Sequence, residues 1–147
     1  MNSQIARSLQ LVLDTAAMVL IWMVQLVIYP AFLRFKKDDF QRWHPVYTRK
    51  VTYVVLPVML GQLVTYGWLV TTAACWHVWL NLLLVMAVWA ITFFRAVPLH
   101  ASLDTNDDHL PVSSALVAIN WWRTVLWTVV WVITMVSLFR GMVLLKP

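Results

Sequence analysis

Four long apolar stretches dominate this 147-residue sequence, at about 9–29, 51–74, 76–95 and 113–139. A helix needs about 20 predominantly apolar residues to cross roughly 30 Å of hydrocarbon. The first stretch carries one charge, Asp14, the second none and the fourth only Arg123. Lipid offers no partner to an unpaired backbone N–H or C=O, so a spanning chain of this composition must be helical. The expectation is an all-α membrane protein, a single transmembrane domain (1–147) of four transmembrane helices in an antiparallel up-and-down bundle. Hydrophobic residues make up 62% of the chain and charged residues 12%. Soluble domains average about 45–50% and about 25%, so the surplus must face the lipid bilayer. The ten tryptophans suit interfacial belts and helix packing.

The first stretch does not read as a cleaved signal peptide, because it exceeds the usual apolar length of about 7–15 residues and Tyr29-Pro30-Ala31-Phe32 is a poor cleavage site. Pro30 is expected to end the first helix, since a residue before proline avoids helical geometry. Pro57 should bend the second helix, and Pro98 and Pro111 should bracket the loop before the fourth. The single cysteine, Cys75, leaves no internal disulfide and reads as a packing residue.

Charge sets the orientation. Arg34, Lys36, Lys37, Arg42, Arg49, Lys50 and Arg95 fall on one side, and Arg7, Arg140 and Lys146 on the other. The loops 33–50 and 95–111 are therefore expected in the cytoplasm and both termini outside. A basic patch of this density also suits nucleic acid, but beside four spans it reads as a positive-inside loop, so no nucleic acid is expected as partner.

Antiparallel alternation brings one group of polar residues to the same membrane face. Gln25 and Tyr29 end the first span, His44, Tyr47 and Arg49 precede the second, His100 follows the third, and Asn120 and Arg123 lie in the fourth. Asn120 and Arg123, three apart, share a helix face that Thr124 and Trp127 extend. A charge within a span usually faces the bundle interior or a cavity. The fourth segment, 28 residues counted from Val112, is about 42 Å long at 1.5 Å per residue, so Arg123 could equally snorkel to lipid phosphate. His44 and His100 could hold a metal or haem, or could be two interfacial histidines with satisfied hydrogen bonds. His77 and His109 do not complete that set, and no metal site is assigned. The acidic run 104–108 reads as a solvated turn or, less simply, a divalent-cation loop. Asp14 reads as a membrane-edge partner of Arg7 or as a proton relay. The chain has no glutamate, which excludes the Glu-x-x-His motif of bundle di-iron sites.

The runs Gln25 to Pro30, Phe40 with Trp43-His44, Val54 to Met59, Val97 to Leu103, and Asn120 to Thr124 with Trp127 resemble a widespread bacterial family of four-span membrane proteins, similar in layout to anthrone-oxygenase-like proteins. The resemblance covers about residues 21–127. It implies a multi-pass protein of the bacterial inner membrane, with His44, His100, Asn120 and Arg123 in the family signature. The chain departs from the pattern at Tyr47, where a second histidine is often found, and at Gln62, where an acidic residue is often found. The family has no settled reaction.

Two functions follow as expectations. One is an oxidoreductase- or oxygenase-like enzyme acting on a lipophilic aromatic or quinone-like small molecule. His44, His100 and Arg123 would be catalytic, and Gln25, Tyr29, Tyr47, Asn120 and Trp127 would bind. Histidine would move the proton, Arg123 would stabilise negative charge, and the cofactor is unknown. The other is a non-catalytic accessory subunit of a larger membrane complex.

Overall fold

A computed structural model describes residues 2–73, 75–105 and 108–144, and the expectations that fall on Ala74, Asp107 and Lys146 lie outside those residues. The helices are α1 (Ser3–Met23), α2 (Tyr29–Phe32), α3 (Lys37–Thr72), α4 (Trp76–Ile91), α5 (Val97–Leu103) and α6 (Leu110–Leu144). Side chains start several of them. Asn2 caps α1 by accepting from the Gln4 N–H, and Asp108 accepts from the Leu110 N–H at the start of α6. Asp38 and Asp39 occupy the first turn of α3, where the helix dipole favours negative charge.

Single π-helical turns, Val24–Ile28 and Thr92–Ala96, weld α1 to α2 and α4 to α5. Four continuous runs result, Gln4–Phe32, Lys37–Thr72, Trp76–Leu103 and Leu110–Gly141, each long and apolar enough to cross a membrane. The helical runs are longer than the apolar stretches suggested, and three expectations about prolines and loops change with them. Pro30 does not end the first run, which continues to Phe32. Pro98 does not open a loop, because it lies in the first turn of α5. The stretch before the second span is not a loop either, since α3 starts at Lys37 and runs through both Pro45 and Pro57. For Pro30 and Pro98 the two wide turns give the physical reason. A proline within a helix lacks the N–H and its ring clashes with the preceding turn. At both places the π turn ends two residues before the proline, with i→i−5 bonds from Tyr29 N–H to Val24 O and from Val97 N–H to Thr92 O. The wide turn takes up the register change the ring demands.

The four runs form an up-and-down bundle in which α1 packs on α3 and α6, and α4 packs on the same two helices from the opposite corner. The outward faces are apolar, with Val27, Val64, Leu83 and Phe94 all exposed, as lipid contact requires. Residues 33–36, 104–105 and 108–109 lie at one end of the bundle, here termed the basic end, and Ala73 and Cys75 lie at the other. Cys75 packs at the edge of the core around Tyr66, Leu69 and Val85.

Two glycines of α3 test the packing. A Cβ at Gly61 would meet the Leu13 methyls at 3.1 and 3.2 Å, whereas one at Gly67 would meet nothing within 4 Å. Gly67→Ala should raise stability by about 0.5–1 kcal/mol, because alanine costs less conformational entropy in a helix. Gly61→Val should lower the melting temperature by pushing α1 off α3. Melting curves in one detergent compare the two directly.

Candidate functional site

The two π-turn/proline elements place the site. Tyr29 immediately precedes Pro30 and His100 follows Pro98 by two residues, and both side chains turn inward at the basic end. The Tyr29 hydroxyl lies 2.9 Å from His100 Nε2. His100 Nδ1 lies 3.0 Å from His44 Nε2, and His44 Nδ1 lies 2.7 Å from Asp104 Oδ1. On the other side of Tyr29, the Arg123 guanidinium places a positive charge near its hydroxyl. Arg123 donates to Asn120 Oδ1 at 3.0 Å, Asn120 Nδ2 donates to Gln25 Oε1 at 2.9 Å, and Gln25 Nε2 reaches the Val117 carbonyl at 3.4 Å. The guanidinium carbon sits 5.5 Å over the Trp127 ring, a cation–π contact.

Asp104 fixes the direction of this chain. A carboxylate only accepts, so His44 Nδ1 carries a hydrogen and donates it. In the state where His44 carries that one hydrogen, its Nε2 accepts from His100 Nδ1–H, and His100 Nε2 accepts from the Tyr29 O–H. Every hydrogen in the series Tyr29–His100–His44–Asp104 thus points towards Asp104, whose side chain is 40% exposed while His44 is fully buried. A proton leaving Tyr29 can cross two imidazoles and reach solvent at the basic end without any side chain changing place.

Aromatic packing holds the imidazoles. Phe32 is fully buried, with ring contacts to Tyr29, Phe40, Trp43, His44, Tyr47 and His100. Phe40 stacks on His44 at 5.0 Å and on His109 at 4.5 Å.

An apolar cavity of ≈ 200 Å³ lies against this network. Its wall is mostly aliphatic and aromatic, from Ala17, Ile21, Val55, Met59, Trp89 and Phe93 among others, with Tyr29, Tyr47, His100 and Arg123 as the polar side. Thr52 and Leu56 of α3, and Phe93 and Val97 of the facing run, line it and are exposed on the outer face. The opening therefore lies between two spans and faces hydrocarbon. Arg123 and Trp89 line the cavity, and one donor on each, Arg123 Nε and Trp89 Nε1, is buried without an acceptor. Buried donors left unpaired are uncommon.

The structure brings together His44, His100, Arg123 and Tyr29, with Asn120 and Gln25 as props behind Arg123. Tyr47 and Trp127 line the cavity, whereas His44 lies behind His100 and does not. Arg123 is 6% exposed and points inward, so it does not snorkel. The imidazoles lie edge to edge, with centroids 5.3 Å apart and 17° between planes, and bond directly, which leaves no room for a porphyrin between them. Among the described residues no group of three or more His, Cys or carboxylate side chains gathers as for a metal ion. Asp104 and Asp108 of the acidic run serve His44 and the start of α6 respectively.

Sequence reasoning missed Asp104 as the partner of His44, and it missed Phe32. It also missed the surroundings of Asp14, which is 1% exposed and does not turn to the membrane edge. Asp14 accepts from Gln62 Nε2 at 2.8 Å and from the Tyr66 and Thr134 hydroxyls at 2.7 Å each. The legible signal was the i, i+4 spacing of Gln10 with Asp14 and of Gln62 with Tyr66 inside apolar spans. In comparisons with known proteins no family model, no curated protein and no solved structure matches this chain.

Proposed function

We propose that the protein takes a lipophilic aromatic or quinone-like molecule from the bilayer into the cavity and exchanges a proton with its oxygen. This is the acid–base part of an oxidoreductase- or oxygenase-like activity. The observation that carries the reading is one wall of an apolar, lipid-facing cavity. There Arg123 and Trp89 offer unpaired donors, and Tyr29 and His100 begin a hydrogen-bonded chain ending at exposed Asp104.

Size and chemistry narrow the ligand. An apolar cavity of about 150 Å³ accepts benzene, so this one holds a single substituted ring, with any tail leaving between α3 and the facing helix. Two unpaired donors suit a ring with more than one acceptor oxygen. A hydroxyl on that ring passes its proton to Tyr29 as the Tyr29 proton moves to His100, the His100 proton to His44 and the His44 proton to Asp104. Arg123 stabilises the oxyanion left behind, and the reverse sequence protonates a ligand oxygen. Acid–base steps of this kind contribute about 10²–10⁴-fold to a rate. The surrounding membrane is taken as the bacterial inner membrane, with the basic end and Asp104 towards the cytoplasm and both termini outside.

The test is a titration of the purified protein in mild detergent with a short-chain benzoquinone, read as quenching of tryptophan fluorescence, since Trp89 and Trp127 border the cavity. Saturable quenching is expected, and Trp89→Phe should weaken it by about three- to tenfold through loss of one neutral hydrogen bond. Non-saturable quenching by the wild-type protein would overturn the proposal.

A further inference from the structure

The other half of the bundle holds a second polar centre that the cavity does not touch. All four spans contribute to it. Gln10 and Asp14 come from α1, Gln62 and Tyr66 from α3, Asn81 from α4 and Thr134 from α6, and none is more than 5% exposed. Asp14 receives three hydrogen bonds at 2.7–2.8 Å, all from neutral donors. Behind them stand two carboxamides. Gln10 Nε2 lies 3.1 Å from the Tyr66 hydroxyl and 3.2 Å from Thr134 Oγ1. Asn81 Nδ2 lies 3.1 and 3.0 Å from the same two atoms.

We propose that Asp14 is a proton-binding site inside the membrane-spanning part of the bundle, taking up and releasing one proton within a shell made of Gln62, Tyr66, Thr134, Gln10 and Asn81. The shell can serve both states of the acid. With Asp14 ionised, the Tyr66 and Thr134 hydroxyls and the Gln62 amide all donate to the carboxylate, as observed. With a proton on Oδ2, the new O–H donates to one of the two hydroxyl oxygens, and that hydroxyl must find another acceptor. Half a turn of the Gln10 carboxamide presents its oxygen where its nitrogen now lies, 3.1 and 3.2 Å from the two hydroxyls, while Asn81 keeps its bond to the Val130 carbonyl. Spare accepting capacity is already present, because Asn81 Oδ1 is fully buried and has no donor.

The charge balance also calls for a proton. A lone carboxylate in a low-dielectric interior is expensive, and three neutral hydrogen bonds do not cancel its charge. A metal cation does not fit the observed shell, whose hydrogens point at the carboxylate. The titratable and charged groups facing Asp14 are few. α3 supplies Tyr66. α6 supplies Arg123, reached only through the Trp127 N–H bonded to Gln62 Oε1 and the ring beneath the guanidinium. The buried residues of α4, Val78, Asn81, Val85 and Val88, carry no charge. On α1 itself, Arg7 lies two turns earlier.

The test is an infrared titration of the full chain in lipid vesicles, following the C=O stretch of a protonated carboxylic acid. A band that grows as pH falls, is missing in Asp14→Asn and ignores sodium is expected. Thr134→Val removes one donor to the carboxylate, so its midpoint should move up by about one pH unit, a tenfold gain in proton affinity. This variant also serves if Asp14→Asn does not fold. A purely structural Asp14 would give no titrating band, and that result overturns the proposal. So does a band suppressed by sodium at constant pH, which would mark a cation site, or a midpoint unmoved in Thr134→Val.

Discussion

Replacing Arg123 with methionine is expected to weaken binding of a benzoquinone probe by about 10- to 100-fold while leaving the helical fold intact. The first part follows from the guanidinium's position at the cavity, with Nε–H unpaired and its plane braced by Asn120 and Trp127. A hydrogen bond from a charged donor contributes about 1.5–3 kcal/mol, and each 1.4 kcal/mol is tenfold in affinity. The second part follows from what the substitution removes. A buried charge is itself costly, and an apolar side chain of similar volume often leaves stability unchanged or higher. The Asn120 amide keeps its bond to Gln25. Arg123→Lys should fall between wild type and methionine. A lysine keeps the charge but cannot hold Asn120 and offer a second donor in the same rigid fork. Fluorescence titrations and melting curves on the three proteins separate binding from folding. Equal affinity in all three would remove Arg123 from the site and the proposed ligand with it.

The spans were legible because lipid imposes them, and a stretch such as 51–74 has no alternative to helix. Their ends were harder to read. Pro30 and Pro98 look like terminators in isolation, and the wide turns before them, which no residue pattern announces, carry the helix past them. That misjudged continuity also hid Asp104. Expected in a solvated acidic run, it comes within 2.7 Å of His44 because α5 carries the chain back over the start of α3. The meeting of His44, His100 and Arg123 was legible from alternation alone, since each lies near the same end of its span. The Asp14 centre was not, because Gln10, Gln62, Tyr66, Asn81 and Thr134 each look unremarkable within their own helix. Their partnership depends on rotation about four helix axes, a property of packing rather than of any single segment.

Phe32→Ala should have the largest effect on stability, about 3–5 kcal/mol, and should weaken probe binding as well. The ring is fully buried and touches six aromatic or imidazole neighbours at centroid distances of 5.3–6.4 Å. Truncating a buried phenylalanine costs about this much in lost contacts and residual cavity. Within a membrane bundle these packing contacts, rather than exclusion of water, hold helices together. The location magnifies the consequence. α2 is only four residues long and ends at Phe32, so this ring anchors the segment that carries Tyr29. Loss of the ring frees the Tyr29 hydroxyl from His100 and lets the two imidazoles lose their mutual hydrogen bond. Phe32→Leu keeps most of the volume and should cost less than half as much, with binding largely kept. The comparison to make is reversible unfolding in mixed detergent micelles, alongside the fluorescence titration. If alanine matched wild type within about 0.5 kcal/mol, the spread expected of inconsequential substitutions, then Phe32 would not be what holds the proton chain in line.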